Sequence, residues 1–115
     1  MSLKQFSLEG KKALVVGGRR NMGKGFALGL AEAGADVVVT DLAVEDGALQ
    51  SVADEISEMG RRSAAIQADI SSKQSVSKLV DQTISVLGGL DVLMNVAVMY
   101  HRKALPDLDA VSYTH

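Results

Sequence analysis

The run Gly-Gly-Arg-Arg-Asn-Met-Gly-Lys-Gly at residues 17–25, followed by Asp41, carries the clearest chemistry in this 115-residue sequence. A glycine-rich turn that opens a helix aims backbone N–H groups and the positive end of the helix dipole at one point. That is a site for an anion, and a diphosphate fits it. Glycine is required where a Cβ would keep phosphate from the backbone or strike the neighbouring strand. Asn21 tolerates a positive φ, so it can stand at a left-handed position within the turn. Asp41 comes 24 residues after Gly17, at the end of the next apolar run. A carboxylate there can accept from both hydroxyls of an adenosine ribose. The plainer readings are a tight turn made by glycines alone, and Asp41 as a helix N-cap or a solvated loop residue.

A second nucleotide site competes for the same turn. Residues 18–24 fit G-x-x-x-x-G-K, the start of a phosphate-binding P-loop, but the next residue is Gly25 and not the Ser or Thr that would hold Mg²⁺. Other chemistries find little support. The chain has no cysteine, hence no thiolate nucleophile, disulfide or Cys-ligated metal. His101 and His115 do not pair with carboxylates at metal-ligand spacing, so no metal site is expected.

The elements that must position these residues alternate regularly. Apolar runs at 13–16, 37–40, 64–68 and 92–98 read as strands. Between them the spacing is helical. Phe26, Leu30 and Ala33 form one stripe, and Leu49, Val52, Ile56 and Met59 a second. Val76, Leu79, Val80, Thr83, Ile84 and Leu87 form a third, behind a capping box of Ser71 and Gln74. Gly34, Gly60 and the pair Gly88–Gly89 follow the helices, where a left-handed C-cap favours glycine. Continuous apolar strands alternating with helices predict an α/β fold: one partial domain with a doubly wound parallel sheet, β-α-β-α-β-α-β. The last strand has the character of a sheet interior, yet residues 100–115 hold no long periodic segment. The expectation is a fragment, or an edge covered by something else.

Hydrophobic residues make up 47% and charged residues 23%, the balance of a soluble globular chain. A net charge of −2 argues against nucleic acid or an anionic membrane as partner. No uncharged apolar stretch approaches membrane-spanning length and the first ten residues lack a signal-peptide core, so a cytoplasmic location is expected.

The pattern resembles the N-terminal, cofactor-binding half of a short-chain dehydrogenase/reductase, with a Rossmann-like fold. Residues 6–15 are similar to the family's opening strand. Gly17, Gly23 and the run at 24–27 resemble its T-G-x-x-x-G-x-G turn. Residues 35–41 resemble its second strand, 68–71 its short acidic motif, and 90–97 its N-N-A-G strand. The resemblance implies that Gly17 and Gly23 approach the diphosphate beneath Met22, and that Asp41 holds the ribose. It implies that Asp69 and Ile70 hold the adenine, and that Asn95, with Ala97 beyond it, passes the nicotinamide ribose. The departures are Val16, Asn21, Val96 and Val98, which stand where the family has Thr, Gly, Asn and Gly.

The choice of coenzyme divides the residues. Asp41 suits a 2′-hydroxyl, because like charges about 4 Å apart repel by roughly 4 kcal/mol at an effective dielectric of about 20. Leu42 adds no cation. Arg19 and Arg20 could neutralise a 2′-phosphate, or touch only the diphosphate. The carboxylate outweighs them, so NAD is expected over NADP. The family's Tyr-x-x-x-Lys pair is not found: Ala104 stands four residues after Tyr100, and four after Tyr113 lies past residue 115. No catalytic residue is named. The resemblance implies a whole protein that passes hydride between nicotinamide and a small alcohol or carbonyl substrate, as a homo-oligomer. The alternative is a half-domain that binds a dinucleotide or a partner chain without chemistry.

Overall fold

A computed structural model describes residues 7–17, 21–42 and 47–96. In chain order the elements are β1 (Lys12–Val16), α1 (Asn21–Glu32), β2 (Asp36–Asp41) and α2 (Ala48–Glu58), followed by β3 (Ser63–Gln67), α3 (Lys73–Leu87) and β4 (Val92–Asn95). The four strands form one parallel sheet in the order β3-β2-β1-β4. The parallel α/β sheet is the one that the alternation of runs predicts, and the fold is Rossmann-like, as the resemblance implies.

The chain steps from β1 to β2 to β3 in one direction, then returns past β1 to β4. Right-handed crossovers therefore put α1 and α2 on one face and α3 on the other. The two cores follow from that division, because successive strand residues point to opposite faces. Ala13, Val15, Val37 and Val39 pack with Ala27, Ala31, Leu49, Val52 and Ile56 on the α1–α2 face. Leu14, Val16 and Val38 pack with Ala68, Leu79 and Leu87 beneath α3.

Several local expectations are corrected. In α1 the inward row is Gly23, Ala27 and Ala31, while Phe26 is 39% exposed. Each helical residue turns about 100°, so seating the small row on the sheet swings Phe26 to the rim. Small side chains let the helix lie close to the strands, and the large apolar residue is displaced. Asn21 takes no left-handed conformation: it is the first residue of α1, and the only positive φ values among the described residues belong to glycines. The cap of α3 is Ser72, whose side chain accepts from the Ser75 amide at 3.2 Å. Ser71 is one residue too early, because Asp69 captures both its amide and its hydroxyl. β3 ends at Gln67 and β4 at Asn95, with Ala68 and Val96 buried just beyond them. The rest of the expected fourth strand, residues 97 and 98, lies outside the described residues. Among the described residues β4 pairs only with β1, and its Leu93 is 63% exposed.

The strand starts are laced by charge. Lys12 Nζ meets Asp36 Oδ2 at 2.8 Å, and Asp36 Oδ1 accepts from the Arg62 amide at 2.9 Å. Asp91 Oδ2 accepts from the Lys12 amide at 2.9 Å. Burial pushes the Asp36 carboxyl up, but the Lys12 ammonium and the Arg62 amide outweigh it and hold the group below its ordinary value.

Candidate functional site

Because all four strands are parallel, Val16, Asp41, Gln67 and Asn95 finish on one edge of the sheet. Loops leaving that edge lie where open α/β sheets bind ligands, at the switch point between β1 and β4. Gly17 begins the first loop with φ 90°, and its amide donates to the Thr40 carbonyl at 2.8 Å. Gly17 is thus anchored on β2. Met22 is exposed and Gly23 buried in the first turn of that helix. Lys24, the residue a P-loop would send to phosphate, instead pairs with Glu55 of α2 at 3.2 Å. The P-loop reading therefore loses its lysine as well as its metal ligand.

Asp41 ends β2. Its Oδ1 accepts from the Leu42 amide at 2.8 Å, and its carbonyl accepts from the Ala68 amide at 3.1 Å. Its Oδ2 is buried and has no hydrogen-bond partner among the described residues. It does not cap α2, whose N-cap is Gly47. Burying a carboxylate oxygen without a donor is costly. A ribose hydroxyl is a donor of the kind that oxygen lacks, so the residue fits a dinucleotide. Leu42 follows it, 61% exposed.

Asp69 and Ile70 follow β3. The Asp69 amide donates to Ser75 Oγ at 2.9 Å, while Oδ1 accepts from the Ser71 amide at 2.9 Å and the Ser71 hydroxyl at 2.6 Å. Those two bonds from Ser71 hold the Asp69 carboxyl below its ordinary value. Ile70 and Asn95 stand at a cleft of about 390 Å³ between α3 and β4, with Val16, Leu79, Val80 and Leu93 among its walls.

The fold therefore brings Gly17, Asn21, Met22, Gly23, Asp41, Leu42, Asp69, Ile70 and Asn95 to one edge. Arg19, Arg20 and Ala97 lie outside the described residues. Sequence reasoning missed Gln67, whose side-chain amide donates to the Leu42 carbonyl at 2.9 Å, and Ser75. Gln67 lies inside the run at 64–68 that reads as a strand, and only the pairing of β3 with β2 brings it beside Leu42. Among the described residues no group of three His, Asp or Glu side chains could hold a metal ion, and no helix is long and apolar enough to cross a membrane.

This sheet and edge define the dinucleotide-binding class of α/β folds. The chain belongs to the short chain dehydrogenase family, whose profile matches residues 11–114. It is 46% identical over 89 residues to the hydroxynaphthalene reductase-like protein Arp2 of Metarhizium brunneum, covering 77% of this chain and 33% of that protein. Among solved structures it is similar to a 7α-hydroxysteroid dehydrogenase complexed with NADH and 7-oxo glycochenodeoxycholic acid. There the TM-score is 0.72 and the identity 39%, over 81% of this chain and 36% of the other. A short chain dehydrogenase of Burkholderia cenocepacia in complex with NADP gives a TM-score of 0.70 at 44% identity, over 75% and 35% of the two chains. The chain thus spans about a third of the length of the curated relatives it matches.

Proposed function

We propose that this chain forms the coenzyme-binding part of an NAD(P)-dependent oxidoreductase that acts on a small alcohol or carbonyl compound. The observation that carries the reading is the buried, unbonded Oδ2 of Asp41 at the strand edge. In this reading the amides that open α1, with Gly17, Asn21 and Gly23, receive the diphosphate beneath Met22, and Arg19 and Arg20 add charge to it. Asp41 accepts from the ribose diol, with Leu42 beside it. Asp69 and Ile70 border the adenine, and Asn95 and Ala97 border the nicotinamide ribose. Bound nicotinamide supplies the hydride chemistry. None of the 115 residues is assigned the proton transfer, and turnover, like a homo-oligomeric assembly, is a property we attribute to the whole protein.

NAD is the coenzyme we favour. Among the described residues Asp41 has no cation bonded to it, so its charge opposes a 2′-phosphate. The relatives complexed with NADH and with NADP show that this family accommodates both coenzymes. A second reading, a half-domain that docks a partner without chemistry, is favoured by the exposed Leu93 beside the cleft.

Calorimetric titration with NAD and NADP tests the proposal. Asp41→Ala removes charge-assisted bonds worth about 1.5–3 kcal/mol, so NAD affinity falls roughly 10- to 150-fold and preference relaxes toward NADP. Absence of heat with either coenzyme in the unaltered chain overturns the reading.

A further inference from the structure

We infer that Gln67 is a positioning residue for coenzyme choice: by holding the Leu42 carbonyl it fixes how Asp41 presents its open oxygen to a ribose. The inference rests on the proposed role of Asp41. Asp41 and Gln67 are register partners, the last pair between β2 and β3. Past them the backbone ladder adds one bond, from the Ala68 amide to the Asp41 carbonyl at 3.1 Å. The next link is made by a side chain, from Gln67 Nε2 to the Leu42 carbonyl at 2.9 Å.

That bond belongs to a short circuit. The Leu42 amide donates to Asp41 Oδ1 at 2.8 Å, and the Leu42 carbonyl is held by Gln67. Both ends of Leu42 are therefore fixed, one by the carboxylate and one by β3. From the other side, the Gly17 amide holds the Thr40 carbonyl at 2.8 Å. With Oδ1 occupied by the Leu42 amide, Oδ2 is the oxygen left to accept from a ligand, and its direction follows from the Leu42 backbone. Release of the Leu42 carbonyl frees that residue's dihedrals, so its amide no longer pins Oδ1 and the carboxylate turns. A carboxylate must be held within about 10–20° to bind a vicinal diol with both hydroxyls. A 2′-phosphate gains nothing from that orientation. Loss of Gln67 therefore weakens NAD selectively and leaves NADP nearly untouched.

The test uses Gln67→Ala and Gln67→Met, the second keeping the length of the side chain while removing the amide donor without adding charge. Expected are a three- to tenfold loss of NAD affinity in both, an NADP affinity within twofold of the unaltered chain, and an unchanged melting temperature. In an Asp41→Ala background Gln67→Ala adds less than twofold, since one residue acts through the other. Without any coenzyme, Gln67→Ala speeds hydrogen exchange at the Leu42 amide and leaves the α2 amides unchanged. Equal losses for NAD and NADP, additive losses in the double variant, or unaltered exchange at Leu42 overturn the inference. If Asp41→Ala leaves NAD affinity intact while Gln67→Ala still speeds Leu42 exchange, the brace exists but the role given to Asp41 fails, and coenzyme choice by Gln67 fails with it.

Discussion

The β2 side and the β4 side of the sheet are built from similar residues and end up in different environments. In β2 the residues from Val37 to Thr40 are all fully buried, with strands on both sides and helices over both faces. In β4 the pattern alternates between half-buried and exposed, and the described residues supply one neighbouring strand. Burial is therefore a property of position in the sheet as much as of side-chain type. The same contrast runs along the candidate site. Asp41 and Asp69, which we propose for its adenosine end, are each fixed by bonds to neighbouring groups. Asn95, proposed for its nicotinamide end, closes β4, which among the described residues pairs only with β1.

Substitutions on the two sides test this contrast. The largest effect is expected at Ile56, fully buried on the α1–α2 face. Ile56→Ala lowers unfolding stability by about 2–5 kcal/mol, whereas Leu93→Ala, on the open side, stays within about 0.5 kcal/mol. Urea unfolding of the two variants measures the difference, and equal costs would remove the distinction between the sides. Gly34→Ala comes next. Gly34 has φ 115°, and a Cβ there would stand 2.9 Å from the Glu9 backbone nitrogen, so the substitution strains the turn into β2 and costs more than about 1 kcal/mol. Its melting temperature falls, while Gly25→Ala, in open space within α1, does not destabilise.

The smallest effect is that of pH on the lacing at the strand starts. The Asp36 carboxyl is depressed in the folded chain, so it binds a proton less readily than in the unfolded one. Its contribution is complete above the unfolded value of about 3.9 and is lost as pH falls through the lower folded value. Urea midpoints measured from pH 6 down to pH 3 show this loss at the acid end, and Asp36→Asn flattens that part of the curve.

Much of the architecture is readable in the sequence because the strands are continuous apolar runs and α2 carries a clean stripe of large residues. Leu49, Val52 and Ile56 are inward as their spacing predicts, whereas Met59, the fourth residue of that stripe, is the C-cap of α2 and is exposed. The phase of α1 is not readable by size, since proximity to the sheet selects Gly23, Ala27 and Ala31 over Phe26. The start of α3 depends on competition for Ser71, and a capping pattern cannot see that Asp69 wins. For the candidate site, the glycine turn and the two aspartates are legible because parallel strands carry the loops after them to one edge. Gln67 is not, because its partner is the backbone of Leu42, 25 residues earlier in the chain, and only strand register brings them together.

The row of small residues in α1 has a wider consequence. Gly23, Ala27 and Ala31 act as a gauge that sets the height of the helix over the strands, and the amides at its start travel with it. A single added methylene in that row would lift the first turn from the sheet as a wedge lifts a lever. In the function proposed for this chain, how closely a phosphate is met would then be decided by side chains that face away from it, and sequence drift on the outer surface of the helix would leave that clearance unchanged.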